Sequence, residues 1–260
     1  MKDQEQIIST NHESSKRNVV LEIKNLFKWF GENKVLNGFS MKLFKGENLV
    51  IMGKSGSGKS VMIKCLVGLM EPDEGHVTIM EKPLAELNQE ELDELRAEIG
   101  FLFQGSALYD SMTVRENLEF PLRHHLKKFG EDVDTDALVE EALENVGLLS
   151  SIDLMPNELS GGMQRRVALA RTLILRPKII LYDEPTSGLD PITAKEIILL
   201  MQEIQEKYGT SSLIITHDVD CARVISDRMI LLIDGINYAE GTFKELQELE
   251  DPKVRAFFKH

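Results

Sequence analysis

The order of the apolar runs predicts an α/β chain with a parallel core sheet. Three observations carry that class. Asn48-Leu49-Val50-Ile51-Met52 is a short, continuous apolar run, as in a strand covered on both faces, and it ends at a glycine-rich loop. The segment after the loop, Val61 to Met70, is apolar almost all round, which is the pattern of a buried helix. Two further runs, Lys178 to Tyr182 and Ser212 to Thr216, repeat the buried-strand pattern beyond a more helical middle.

The remaining elements follow in order. Met1 to Asn18 is polar and mixed in charge, has no apolar stretch of signal-peptide length, and reads as a flexible N-terminal tail. Val19 to Ile23 is strand-like, Gly31 to Lys34 reads as a turn, and Val35-Leu36 resumes the strand pattern. Glu71-Pro72-Asp73-Glu74-Gly75 breaks the first helix. From about Leu84 to Gly147 the chain is more acidic and more helical, with Glu90–Glu98 and Thr135–Asn145 the clearest helices. Met163, Val167, Ala170 and Ile174 recur on one face and predict another helix. Met229 to Ile233, followed by Asp234-Gly235, reads as a strand entering a hairpin turn. A domain over 19–255, with a helical subdomain at about 105–165, accommodates this order.

Composition narrows the function. Acids outnumber bases, 43 to 30, for a formal charge of −13, which argues against a nucleic-acid partner, since phosphate neutralisation needs a basic face. Met229 to Ile233, among the longest apolar runs, falls far short of the roughly 20 residues of a membrane-spanning helix. Cys65 and Cys221 stand far apart without metal-ligand spacing and read as reduced, packed thiols. The expected compartment is the cytoplasm.

Gly53-Lys54-Ser55-Gly56-Ser57-Gly58-Lys59-Ser60 matches the phosphate-loop pattern, with the strand before it and the helix after it that the pattern requires. Glycines let the backbone curl so that successive N–H groups face phosphate oxygens, and the helix presents its positive end to the same anion. The spacing puts Lys59 on the β- and γ-phosphates of a nucleotide and the Ser60 hydroxyl on Mg²⁺.

The strand Ile179-Ile180-Leu181-Tyr182 ends in Asp183-Glu184. Neighbouring strand residues face opposite ways, so the two carboxylates have different tasks. Asp183 suits the Mg²⁺ shell, and Glu184 suits general-base work on an attacking water. A third segment, Glu158-Leu159-Ser160-Gly161-Gly162-Met163-Gln164-Arg165-Arg166, opens the helix predicted above, and its Ser-Gly-Gly also reads as an ordinary helix N-cap.

A phosphate loop, this segment and a strand ending Asp-Glu, in that order, closely resemble the ATP-binding cassette (ABC) family over roughly Val19 to Gly241. The resemblance implies a RecA-like P-loop NTPase core with an antiparallel β subdomain and an inserted α-helical subdomain. It also implies ATP hydrolysis with Mg²⁺. Leu159-Ser160-Gly161-Gly162-Met163-Gln164 looks like the family signature, although glutamine more often follows the second glycine directly and Met163 intervenes here. The signature role transfers to Ser160, Gly161 and Gly162, which would close over the γ-phosphate held by a second copy of the chain. Gln104, after Phe101-Leu102-Phe103, matches the Q-loop glutamine that contacts Mg²⁺ or the attacking water. Ser187-Gly188-Leu189-Asp190 matches the D-loop at the dimer interface, and His217 the switch histidine near the γ-phosphate. Phe30, just before Gly31, sits where the family stacks an aromatic ring on adenine, with Trp29 as its rival. His124 and His125 lack such context and read as solvated.

One cassette in a chain of 260 residues points to a transporter subunit whose membrane permease is a separate chain, placing the protein peripherally at the inner face of the cell membrane. The stretch Phe103 to Arg123 resembles the Q-loop region of ATPase subunits of Mla-type, MCE-associated phospholipid transporters. Leu189 to Thr193 and Glu250 to Phe258 are similar to that subgroup too. An MCE-domain lipid-binding protein is the further partner this implies. An amino-acid importer subunit and a non-transport regulatory ATPase are the alternatives. Of the apolar residues between Ala107 and Leu122, Leu108 and Tyr109 are expected to face the permease.

Overall fold

The computed structural model describes residues 8–9, 17–130 and 133–258. In chain order the elements begin with strands β1 (Ile8–Ser9), β2 (Val19–Phe30), β3 (Asn33–Phe44) and β4 (Asn48–Met52). Helix α1 (Lys59–Leu66), strands β5 (Glu74–Ile79) and β6 (Lys82–Pro83) and helix α2 (Gln89–Ala97) follow. Next come β7 (Ile99–Leu102), α3 (Val114–His125), α4 (Thr135–Glu144), α5 (Gly161–Leu173), β8 (Ile179–Asp183) and α6 (Pro191–Tyr208). The chain finishes with β9 (Ser211–Thr216), α7 (Val219–Ile225), β10 (Arg228–Ile233), β11 (Ile236–Gly241), α8 (Phe243–Glu248) and α9 (Pro252–Phe258). Two compact units result: one from the chain up to Glu94 together with the chain from Ser211 onward, the other spanning Leu95–Thr210.

The first unit contains two sheets. In one, β4 lies between β10 and β9 and is parallel to both, while β11 pairs antiparallel with β10. Every residue of β4 and β9 is buried, which is why those segments read as uninterrupted apolar or small-residue runs. The other sheet, ordered β3-β2-β5-β6, is antiparallel. Here the strands run longer than their patterns predict. β2 and β3 are each twelve residues, joined through Gly31 at φ 61, as a two-residue hairpin turn requires. Register shifts interrupt their pairing, and Asn25, at φ 48, donates its N–H to Ser40 Oγ at 2.8 Å. Such bulges break strict alternation, so the apolar pattern fades after Ile23.

The tail expectation needs a correction. Ile8–Ser9 pairs in parallel with Ala239–Glu240, adding a short strand beside β11. Backbone pairing at an open sheet edge asks little of side-chain pattern, so a polar sequence can supply it. The rest of the predicted tail up to residue 16 lies outside the described residues.

A buried ion cluster holds the base of this unit. The Arg228 guanidinium grips Glu47 with two bonds of 2.8 and 2.9 Å, pairs with Glu240, and donates to the Lys42 carbonyl at 2.5 Å. β3, β10, β11 and the turn before β4 are thereby tied to one side chain. Cys65 and Cys221 are buried and not joined in a disulfide, as expected.

In the second unit β7 and β8 pair in parallel, Ile99 opposite Ile179. Helices α3 and α4 fall in the expected helical insert. α3 opens on a capping box, Thr113 with Glu116, and tolerates Pro121 inside it. Asn117, fully buried on α3, accepts the Tyr109 N–H at 2.8 Å and donates to the carbonyls of Tyr109, Met112 and Thr113. One amide therefore satisfies the turn leading into the helix. Val114 and Leu118 are core, whereas Tyr109 stays 43 % exposed.

Candidate functional site

The first unit carries the phosphate loop between β4 and α1. Lys59 Nζ donates to the carbonyls of Gly53 at 2.6 Å and Lys54 at 3.1 Å, folding the loop around its own ammonium. Gly58 sits at φ 103 and ψ 3 as the N-cap of α1, a conformation that L side chains rarely adopt, and no side chain caps the helix. Gly58 has no side chain with which to cap the first-turn N–H groups of α1. A Cβ on Gly53 would lie 2.4 Å from Ser57 Oγ, and one on Gly58 would lie 2.9 Å from the Val35 carbonyl. Gly56, at φ 80, meets nothing within 4 Å. The Ser57 hydroxyl is buried with no hydrogen-bond partner among the described residues. An uncapped helix start, a backbone that only glycine permits and an orphaned hydroxyl together fit a phosphate chain. Ser55 and Ser60 are exposed. A cavity of about 580 Å³ opens beside the loop, lined by Lys54, Ser55, Gly56, Ser57, Val35 and Gly235 among others.

Two more predicted residues belong to this unit. Phe30, at the end of β2, is 50 % exposed, with the Lys28 ammonium 5.7 Å from its ring centre. Trp29 is half-buried, with its backbone N–H donating to Asp73 at 2.7 Å, and the more exposed Phe30 offers the freer ring. His217 is exposed at the end of β9, just before Asp218, which caps α7.

The second unit carries the carboxylates. Asp183 ends β8 half-buried. Glu184 is 8 % exposed and adopts φ 49, so the chain turns sharply there. Holding a bulky residue in the left-handed region costs of order 1 kcal/mol or more, and here it buries the carboxylate that the strand delivers. The Ser187 N–H closes the turn on the Glu184 carbonyl at 3.1 Å. Tyr182, entirely buried, has its hydroxyl pushed up well above its ordinary pKa by desolvation.

Ser160 is the N-cap of α5, its hydroxyl accepting the Met163 N–H at 3.2 Å. Both readings of Ser-Gly-Gly thus remain compatible, since the cap leaves the glycines at the helix mouth. A Cβ on Gly162 would lie 2.6 Å from the Thr193 methyl, and one on Gly161 would lie 3.9 Å from Leu189. The signature segment therefore packs directly on the segment Ser187 to Thr193. Asp190 caps α6, accepting from the N–H groups of Ile192 and Thr193 at 3.0 and 3.1 Å and from the Thr193 hydroxyl at 2.5 Å. The Thr193 hydroxyl and N–H bonds hold its carboxyl below the usual range. Gln104 reaches the same segment, its Nε2 donating to Ser187 Oγ at 3.2 Å.

Sequence reasoning passed over Arg165 and Arg171. Both lie on α5; Arg165 is 3 % exposed. Their pKa values are drawn down by burial. The only signal was a basic residue interleaved with an apolar helix face, and surface helices show that everywhere.

The sequence pattern of the ABC transporter family matches residues 36–187. The chain belongs to the ABC transporter family. It is 39 % identical over 239 residues to a probable ribonucleotide transport ATP-binding protein, mkl, of Mycobacterium leprae, covering 92 % of this chain and 68 % of that one. It is 40 % identical over 228 residues to the methionine import ATP-binding protein MetN of Clostridium tetani, covering 87 % of this chain and 70 % of that one. Among solved structures, a dimeric ATP-binding cassette in a post-hydrolysis state with ADP and Pi matches with a TM-score of 0.76. The identity is 35 %, covering 86 % of this chain and 98 % of that one. The fold is the ABC ATPase fold, the enzyme is an ATPase, and its nucleotide and ion are ATP and Mg²⁺. Among the described residues no helix is long and apolar enough to cross a membrane.

Proposed function

We propose that this ABC ATPase energises phospholipid transport through a permease carried on a separate chain and associated with an MCE-domain lipid-binding protein. The carrying observation is the stretch Phe103 to Arg123, whose sequence resembles the Q-loop region of phospholipid-transporter ATPases. Two of its aromatic side chains are left outward, Phe103 at 46 % and Tyr109 at 43 % exposed, and Tyr109 lies 4.8 Å from Phe120, ring to ring. An aromatic face beside Gln104 suits a permease helix that reports its position to the catalytic residues. Of the two residues expected to meet the permease, Tyr109 is thus open and Leu108 half-buried.

The residue roles follow from chemistry. Lys59 neutralises the β- and γ-phosphates, and the loop N–H groups bind their oxygens. Ser60, Asp183 and Gln104 would hold Mg²⁺, which would supply positive charge to offset that developing on the γ-phosphoryl group. Glu184 orients the attacking water and takes its proton, while His217 donates to the γ-phosphate. Phe30 stacks on the base. Ser160, Gly161 and Gly162 of a second copy close the site, with Asp190 at the interface, so that two chains enclose two nucleotides. Hydrolysis then loosens the pair, and that alternation moves the permease.

The resemblance to MetN favours a second reading, the ATPase of an amino-acid importer. Affinity purification in mild detergent, with mass spectrometry of proteins and lipids, separates the two. A permease, an MCE-domain protein and bound phospholipid are expected. An amino-acid permease with its solute-binding protein would overturn the lipid reading, and soluble partners alone would overturn transport. Glu184→Gln should retain ATP binding and lose at least about a hundredfold in turnover, as general bases do; normal turnover would remove its assigned role.

A further inference from the structure

We infer that Arg165 is a positioning residue for Gln104, tying the loop that carries Gln104 and the loop after Glu184 to the helix that opens with Ser160-Gly161-Gly162. The inference rests on the proposed role of Gln104 at the ion or the attacking water. Arg165 Nη1 donates to the Phe103 carbonyl at 2.7 Å, and Nη2 donates to the Gln104 carbonyl and, at 3.3 Å, to the Ser187 carbonyl. Gln104 closes the circuit through its bond to Ser187 Oγ. Two segments about sixty and twenty residues away in sequence thus converge on one planar fork.

The burial of that fork is the telling feature. Among the described residues its partners are backbone carbonyls and no carboxylate, and its Nε has no partner at all. A buried guanidinium without an ion partner is a poor way to stabilise a core. It is a good way to fix several carbonyls at once, because its donors are rigidly arranged.

The loop it holds does not rest in an ordinary conformation. Ser106 and Ala107, neither of them glycine, adopt φ 59 and φ 49 in succession. Arg171, six residues further along α5, donates to the Ser106 carbonyl at 3.0 Å and lies 5.7 Å from the Tyr109 ring centre. α5 therefore grips the loop on both sides of a bend that would otherwise relax. Displacement of the signature helix is passed to Gln104 through these contacts, and a push on the Tyr109 face is passed back.

The test compares Arg165→Lys, Arg165→Gln, Gln104→Ala and the double variant Arg165→Lys/Gln104→Ala in the full-length chain. Equilibrium ATP binding, steady-state kcat and KM, and thermal melting are measured for each. A lysine keeps the charge but, as a compact ammonium, cannot span three carbonyls. Arg165→Lys should lower kcat by about tenfold or more while ATP affinity stays within about twofold, and Arg165→Gln should lose at least as much. Because Arg165 acts through Gln104, the double variant should be no slower than Gln104→Ala by itself. Multiplying losses in the double variant, or a normal kcat for Arg165→Lys, would overturn the inference. Loss of ATP binding in step with kcat would make Arg165 a folding residue and overturn it too. A normal kcat for Gln104→Ala would remove the role on which the inference stands, and is recognised because that single variant reports it directly.

Discussion

Replacing Gly58 by alanine should damage both the stability of the first unit and its grip on ATP. The residue sits at φ 103, beyond the small left-handed region open to L residues, so a side chain there costs about 1–2 kcal/mol in backbone strain. The new Cβ would also lie 2.9 Å from the Val35 carbonyl and 3.0 Å from Leu36 Cδ2. Neither neighbour yields easily: the carbonyl belongs to β3, and Leu36 is fully buried. Overpacking of this kind adds roughly 1–2 kcal/mol. The sum, about 2–4 kcal/mol, corresponds to a fall in melting temperature of roughly 5–15 °C for a chain of this size. Displacing the start of α1 should in addition weaken ATP by about tenfold or more, since the same N–H groups are those proposed to bind the phosphates. Gly56→Ala is the matched control. It shares a positive φ, 80, but its Cβ meets nothing within 4 Å, so strain alone remains. Differential scanning calorimetry and titration calorimetry with ATP·Mg²⁺ read both effects. The reasoning is refuted if Gly58→Ala melts no lower than Gly56→Ala or binds ATP as the parent does.

Lys59→Ala should weaken ATP by about tenfold or more and abolish turnover, because the proposed charge-assisted bond to phosphate is lost together with the bonds to the Gly53 and Lys54 carbonyls; hydrolysis near the parent rate would contradict this. Arg228→Ala leaves Glu47 buried without its partner and should cost about 3–5 kcal/mol in urea unfolding, whereas a loss below about 1 kcal/mol would mark the cluster as solvated. Glu98 gives a pH-dependent prediction. Burial pushes its carboxyl up, but the Lys128 and Lys178 ammoniums, at 2.9 and 3.1 Å, pull it down further and leave it below its ordinary value. Its contribution is present above the unfolded carboxyl's pKa, about 4.3, and is lost as the pH falls through the depressed folded value. The melting-temperature gap between the parent and Glu98→Gln should therefore be open at pH 7 and close below about pH 4. A gap that widens on acidification would reverse the assigned sign.

The elements that the sequence made legible share a physical property. β4, β8, β9 and β10 are covered on both faces, so burial alone dictates an unbroken apolar or small-residue run. β2 and β3 were legible only at their ends, because bulges near Asn25 change which residues face the core. α3 was not read as a helix: Pro121 interrupts its pattern, and the capping box at Thr113 precedes a stretch that mixes core residues with the outward Tyr109 face.

The chemistry divides in the same way. Residue type and spacing by themselves determined the phosphate loop, since backbone N–H groups can curl around an anion only where glycine removes the Cβ, and that demand is local. The strand ending in Asp183-Glu184 was fixed equally locally, by a buried run meeting two charges. Only the tertiary structure decided that Asp190 caps α6, that Glu184 turns the chain at φ 49, and that Arg165 is buried among three carbonyls. Arg165 and Arg166 are neighbours of the same type, yet one is buried against Phe103, Gln104 and Ser187 and the other bonds Val146 and Glu196. What distinguishes them is the helical phase of α5 against segments far away in the chain, and contacts made over such separations leave no trace in local sequence.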